Sequence, residues 1–367
     1  MIKKLEIIVV EDSPSVIETY QEMVNAYNRH NNMYEVSIDS VTSLDSAIEK
    51  LNVLDKIYIG AVVDLDLAHT NGEDQSGKKV VEFIKRNLRL PVYVISSTTF
   101  NLTSEDFVQN DLYKVYDRDD DEYDFIEDFI KIHATGITDI LNRTGKLEEF
   151  INTIYWKHLS TSLSPWIEDK VRAEEDKKQS LIRYCIMHLQ EYLDLSTDNN
   201  GKFSEYYPAE FFITGPIKTS IFTGDIFIYD KKRFVVVTPA CDFANGNISK
   251  LNCLNISELH EINDKFNANP KDEKIQNKLR PYLFNQKPRY HFIPELKYKK
   301  ETYNAGILDF QNQVSFDYAE MQSDQVHRVA TISQPFLKDL IERRSSYYSR
   351  QGAPNMSRDQ LSTMHLN

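Results

Sequence analysis

Cysteine is scarce. Cys185, Cys241 and Cys253 are the only three in 367 residues, an odd number with no CxxC spacing. That excludes a disulfide-stapled secreted domain and a paired-cysteine metal module, and it predicts a reducing, cytoplasmic setting. Long hydrophobic runs are missing too, and Lys3 and Lys4 precede only a short apolar stretch that ends in charge. Neither a membrane span nor a signal peptide is expected, so the reading is of a soluble chain. No internal repeat is visible. Helix-turn-helix spacing is also absent, which disfavours a transcription factor. Excess positive charge is lacking: the formal net charge is −13, and residues 1–135 carry 26 acidic against 13 basic side chains, while the other 232 residues carry 30 of each. All the surplus acid belongs to the first third of the chain, so nucleic acid is not an expected partner there.

What is present falls into three parts: residues 1–135, 136–200 and 201–367. In the first, strand patterns near 5–10, 34–38, 57–64, 91–96 and 112–116 alternate with helical periodicity at 17–30, 44–54, 77–88, 104–109 and 122–133. This alternation predicts an α/β domain with a five-stranded parallel sheet and helices on both faces. Two of its strands end in acid. Leu5, Ile7, Ile8, Val9 and Val10 run into Glu11 and Asp12, followed by Ser-Pro-Ser, a helix start; Ala61, Val62 and Val63 run into Asp64. Carboxyl ends of strands are where open α/β sheets place ligands. If the two strands are neighbours, three carboxylates converge, and a hard divalent cation such as Mg²⁺ is the natural way to neutralise them.

These residues resemble the receiver domain of bacterial two-component response regulators, which has a flavodoxin-like fold, an acidic pair after the first strand, a phosphoacceptor Asp after the third and a hydroxyl residue after the fourth. The resemblance implies that Glu11, Asp12 and Asp64 hold Mg²⁺, that Asp64 accepts a phosphoryl group from a histidine kinase or kinase-like ATPase, and that Ser96, in LPVYVISST, senses it. There are two departures. The loop from Ala68 to Ser76 is longer than usual and lacks the family's proline, and where the fifth strand should end in lysine the chain has Asp117 or Arg118, of which Arg118 could supply the positive charge. The acidic run at 117–124 reads as a solvated helix start.

Residues 136–200 read as a helical connector, with one helix through Ile154 and, after Ser164 and Pro165, a second carrying Trp166 to Leu193. Homodimer contacts and intramolecular packing are equal alternatives for its apolar positions. From 201 onward, short Phe-, Ile-, Val- and Tyr-rich segments separated by turn residues predict a β-rich small barrel or sandwich, interrupted by a charged helical insert near 257–284 and closed by a C-terminal helix and polar tail.

Two sites are candidates in this third part. A nucleophilic reading takes Cys241 as nucleophile, His291 as base and Asp242 or Glu295 as orienter. The bland alternative is a small cysteine capping a strand beside a turn Asp; a zinc site from Cys241, Cys253 and His291 lacks paired spacing and a fourth ligand. Arg343, Arg344 and Arg350, flanked by Tyr347 and Tyr348, match the residue types of a phosphate-binding patch, with a solvated helix face as the ordinary alternative. The stretch 224–246, with RYHFIPE and the C-terminal helix, resembles an output module of bacterial proteins of uncharacterised function, some encoded near histidine-kinase-like ATPases and in defence-type gene clusters. Two functions are therefore expected. The first is a response-regulator-like phosphorelay protein whose output does not bind DNA. The second is a phosphorylation-independent receiver-like module docking an ATPase in a bacterial defence system.

Overall fold

The computed structural model describes residues 2–67, 75–97, 108–119, 122–193, 205–246, 248–258, 273–322 and 326–350. The loop 68–74, most of the helix expected at 104–109, residues 259–272 of the expected helical insert and the polar tail lie outside these residues, and the described part of the insert contains the helix Glu273–Leu283. The chain divides into two compact units, Met1–Ser204 and Glu205–Asn367. No described helix is long and apolar enough to cross a membrane.

In the first unit, strands β1 (Lys3–Val10), β2 (Tyr34–Val41), β3 (Gly60–Val63), β4 (Val92–Ser96) and β5 (Tyr113–Asp117) form a parallel sheet in the order β2-β1-β3-β4-β5. Helices α1 (Pro14–His30), α2 (Leu44–Leu51), α3 (Ser76–Asn87) and α4 (Phe125–Ala134) cover it. Side chains alternate across a strand, so each strand serves both cores. Ile8, Val10, Ala61, Val63, Val92 and Val94 pack with α2 and α3 through Ala47, Leu51, Val80, Val81 and Ile84. Ile7, Val9, Val62, Tyr93 and Ile95 pack with α1 and α4 through Tyr20, Val24, Phe125 and Phe129. Burial on both faces explains why these strands read as continuous apolar runs. Asp124, in the acidic run, caps α4 by accepting a 2.9 Å hydrogen bond from the Glu127 amide.

The helical segment continues this unit as α5 (Ile137–Leu141) and α6 (Lys146–Ile154), a π-turn at Tyr155–Leu159, short pieces, and a helix at Glu174–Leu193. The second helix starts later than its periodicity suggested, because the Asp169 carboxylate accepts hydrogen bonds from the amides of Val171 (2.8 Å) and Arg172 (3.1 Å), a local turn that competes with helix. Lys3 pairs with Asp139 at 2.7 Å and Arg89 with Glu148 at 3.0 Å, while Arg89 also donates to the Leu141 carbonyl. Helix Glu174–Leu193 packs on α6 and has no buried residue.

The second unit is a single antiparallel sheet of seven strands curled into a half-barrel, rather than two stacked sheets. It comprises β6 (Phe212–Thr214), β7 (Asp225–Tyr229), β8 (Lys232–Val236), β9 (Lys250–Glu258), β10 (Tyr290–Ile293), β13 (Gly306–Asp317) and β14 (His327–Ile332), in the order β10-β13-β9-β8-β7-β14-β6; β11 (Leu296–Tyr298) and β12 (Glu301–Tyr303) form a separate hairpin. The β7–β8 hairpin turns on Asp230 and Lys231, both with positive φ (48° and 59°), the backbone sense that suits a two-residue hairpin. The helix Gln334–Tyr348 buries Leu337 and Leu340 in the core beneath one face, where a second sheet would have sat. Asp225, fully buried, accepts from Thr331 (2.5 Å) and the Phe222 amide (2.9 Å) and faces Arg328 at 3.1 Å. Arg328 in turn donates to the carbonyls of Lys218 and Thr219, stapling that loop to the sheet.

Gly77, at the start of α3, lies against the backbone of Asp64 and Leu65; a Cβ there would fall 2.6 Å from the Leu65 Cα and closer still to the Asp64 carbonyl. Gly77→Ala is expected to destabilise the protein by about 1–3 kcal/mol through overpacking against backbone. Urea denaturation of the variant checks this, and an unchanged midpoint would refute it.

Candidate carboxylate site at the sheet rim

Register places the acids. Val10 pairs with Val63 across β1 and β3, and the Asp64 amide donates to the Val10 carbonyl at 2.9 Å, so Glu11, Asp12 and Asp64 leave adjacent strands at the same level. One ligand oxygen from each lies within 4.8 Å of the others, the only such group of three among the described residues. Glu11 is 1% exposed and Asp64 5%. At an effective dielectric of about 20, two unit charges 4.8 Å apart repel by about 3.5 kcal/mol, so three ionised carboxylates need a counter-charge. All donors are hard oxygens, the set that Mg²⁺ takes, and the trio fits such an ion.

β5 supplies a cation of the protein's own. Ser96 pairs with Asp117 in the β4–β5 ladder, and the Arg118 amide donates to the Ser96 carbonyl at 3.2 Å. The next side chain to turn inward is therefore Arg118, not Asp117. Its Nη2 donates to the Ile95 carbonyl at 3.1 Å and reaches Glu11 Oε2 at 2.5 Å and Asp64 Oδ2 at 3.2 Å. The expected lysine position is thus filled by a guanidinium touching two of the three acids. Burial opposes the charge on Arg118, but the Asp64 and Glu11 carboxylates outweigh it and raise its pKa. Burial pushes Glu11 up to about 7, against the pull of Arg118 and with the push of Asp64. Ser96 is fully buried at the end of β4. Lys114 is spent elsewhere, on Asp128 at 2.5 Å.

The sites expected in the second unit are not assembled. Cys241 lies exposed on a one-turn helix, Ala240–Ala244, beyond β8, with its thiol 3.6 Å from Asp242. His291 lies in β10, three strands away across β13 and β9, a separation of about 4.8 Å per strand. Its ring is 2% exposed, packs near Phe211, makes no hydrogen bond among the described residues, and has Asp339 at 3.8 Å and Arg343 as charged neighbours. Cys253 is buried inside β9 with its thiol toward the Leu251 carbonyl, so neither a Cys–His dyad nor a zinc cluster forms. Glu295 pairs with Lys297 at 3.5 Å. The arginines of the last helix are used internally: Arg343 donates to the Asn285 and Tyr290 carbonyls (2.6 and 3.2 Å) and Arg344 to Gln313 (2.5 Å). Tyr348 donates to the Phe310 carbonyl and Tyr347 accepts from Gln311, while Arg350 is exposed. Sequence reasoning missed the ion pair of Asp225 and Arg328, because the two lie 103 residues apart in the chain and only the pairing of β7 with β14 brings them together.

A parallel sheet in the order 2-1-3-4-5, with acids at its carboxyl edge, decides the fold. The first domain has the receiver fold. Solved structures similar to this N-terminal third include the N-terminal domain of a response regulator/sensory box/GGDEF three-domain protein from Carboxydothermus hydrogenoformans (18% identity, 36% of this chain and 92% of that one, TM-score 0.25). A sensor protein from Polaromonas sp. JS666 is similar at 20% identity (36% and 97%, TM-score 0.27), and the PhyR response regulator REC domain from Erythrobacter litoralis at 14% (38% and 94%, TM-score 0.26). At these scores the assignment rests on strand order and register, not on the likenesses. No protein-family model matches the chain, and no curated protein matches it.

Two pH dependences follow. Glu11 is protonated more readily folded than unfolded, so its own contribution to stability is fully present below pH 4.5 and is lost as pH rises through about 7, by on the order of 2–3 kcal/mol. Glu11→Gln should flatten that part of the metal-free stability profile; a profile as steep as the wild type's would contradict the assignment. His291 behaves oppositely. Burial, with Arg343 adding to it, lowers its pKa from 6.5 to about 3, so the stability contributed by its neutral ring is fully present above pH 6.5 and is lost as pH falls toward 3, by on the order of 4 kcal/mol. His291→Phe is expected to remove that acid sensitivity in denaturant titrations at pH 7 and pH 4, and equal losses in both proteins would disprove it.

Proposed function

We propose that this protein is a response-regulator-like signalling protein whose first domain takes a phosphoryl group on Asp64 and thereby controls the second unit. The observation that carries the reading is the convergence of Glu11, Asp12 and Asp64, with Arg118 against two of them and Ser96 on the adjoining strand, at the carboxyl rim of a receiver-type sheet. An Asp64 carboxylate oxygen would attack the phosphorus of a phosphohistidine on a histidine kinase or kinase-like ATPase; the P–N bond breaks, the imidazole leaves with the electron pair and takes up a proton, and an acyl phosphate results. Glu11, Asp12 and Asp64 would hold Mg²⁺, which supplies charge neutralisation of the phosphoryl oxygens when bound. The Ser96 hydroxyl would hydrogen-bond the acyl phosphate and so couple the event to the fold. A bacterial, cytoplasmic phosphorelay is the setting this chemistry fits.

A second reading has one observation in its favour. Arg118 already compensates two of the three acids without a metal, as suits a receiver-like module that docks an ATPase and is never phosphorylated.

Intact mass after incubation with a small-molecule phosphodonor separates the two. A single phosphoryl adduct that requires Mg²⁺ and is lost in Asp64→Asn is the expected result. An unmodified wild-type protein at saturating donor and Mg²⁺ would favour the docking module.

A further inference from the structure

We infer that Arg118 is a resident counter-cation of the carboxylate pocket, interchangeable with the divalent ion rather than additional to it. The inference rests on the metal-binding part of the reading above and concerns what must happen before that ion can enter.

The hydrogen bonding of the two buried acids is divided in the same way. Glu11 Oε1 accepts from the Ser13 amide at 3.0 Å, and Asp64 Oδ1 faces the Asp66 amide at 3.4 Å. The second oxygen of each, Glu11 Oε2 and Asp64 Oδ2, is the one that Arg118 Nη2 contacts. Backbone amides are fixed by the loops that carry them, so the oxygens a metal could take over are those now facing the guanidinium. A six-coordinate Mg²⁺ needs its oxygens at about 2.0–2.1 Å in near-octahedral array, and one guanidinium nitrogen bridging both acids stands where such an ion would. Two cations this close would also repel in a poorly solvated pocket. The Arg118 side chain can move while its amide stays on the Ser96 carbonyl: it is the first residue beyond β5, its side chain is 19% exposed, and the side chain's remaining described hydrogen bond is to the single Ile95 carbonyl. A lysine would act as a compact point charge with rotatable donors, whereas the rigid planar fork of arginine suits bridging. The substitution at this position thus gives the pocket a state that is charge-compensated without metal, and metal entry requires Arg118 to swing out.

Calorimetric titration with Mg²⁺ and thermal melting, in chelator and in Mg²⁺, test this on the full chain as wild type, Arg118→Ala and Arg118→Lys. Arg118→Ala should bind Mg²⁺ at least about tenfold more tightly than wild type, and Arg118→Lys should fall between them. In chelator Arg118→Ala should melt below wild type, and Mg²⁺ should close the gap. An unchanged or weaker Mg²⁺ affinity in both variants, with circular dichroism spectra matching wild type, would overturn the inference, as would a melting gap indifferent to Mg²⁺. If Arg118→Ala does not fold, the affinity of Arg118→Lys alone decides. Loss of this inference leaves the receiver reading standing so long as wild type gains its phosphoryl adduct on Asp64; absence of that adduct, with the Mg²⁺ competition intact, would remove the receiver reading alone.

Discussion

Like charges held together in a nearly dry corner are what the first domain has to accommodate. The ladder between β1 and β3 brings Glu11 and Asp64 level whether or not a cation is present, because the pairing of Val10 with Val63 is set by apolar side chains buried on both faces. Neither strand offers the acids relief nearby, since the residues immediately below them, Val9 and Val10 in β1 and Val62 and Val63 in β3, are aliphatic. Compensation has to come from outside the two strands, and the structure draws it from β5 at the sheet's edge. The hydrophobic core thus creates the electrostatic problem, and the edge strand answers it.

The second unit uses buried charge for a different end. Buried Asp225 pairs with half-buried Arg328, and Arg328, Arg343 and Arg344, half-buried themselves, donate to carbonyls and a side-chain amide of their own unit. Arginine's several donors in one plane suit it to gathering backbone carbonyls that no regular element satisfies. A half-barrel has an open face and two edges, and these clamps, with the C-terminal helix, hold its shape where a closed barrel would rely on its ladder.

Much of the first domain was legible because its strands are short, apolar and punctuated by acid, and because the intervening periodicity is helical. Strand and helix positions in the structure follow that pattern closely, and the three carboxylates were visible as strand endings. The choice between Asp117 and Arg118 was not legible, since a shift of one residue moves a side chain to the other face and only pairing with Ser96 settles it. The break at Asp169 was hidden because a side chain accepting local amides leaves no trace in hydrophobic spacing. Cys241 and His291 seemed compatible because chain distance says nothing about strand order; the sheet puts β13 and β9 between their strands. The basic C-terminal segment resembled a phosphate patch because its acceptors are mainly backbone carbonyls, which no side-chain pattern reveals.

The missing side chain at Gly77 has a mechanical meaning. With nothing between them, the carbonyl of Asp64 and the first turn of α3 are in hard contact, so the aspartate's loop cannot shift toward α3 without pushing a twelve-residue rod. At the rod's far end, just past its last turn, Arg89 grips the Leu141 carbonyl and Glu148 of the helical extension. The first unit thus strings together contacts from the acidic rim through α3 to α5 and α6, a close backbone packing at one end and a charged hook beyond the helix at the other.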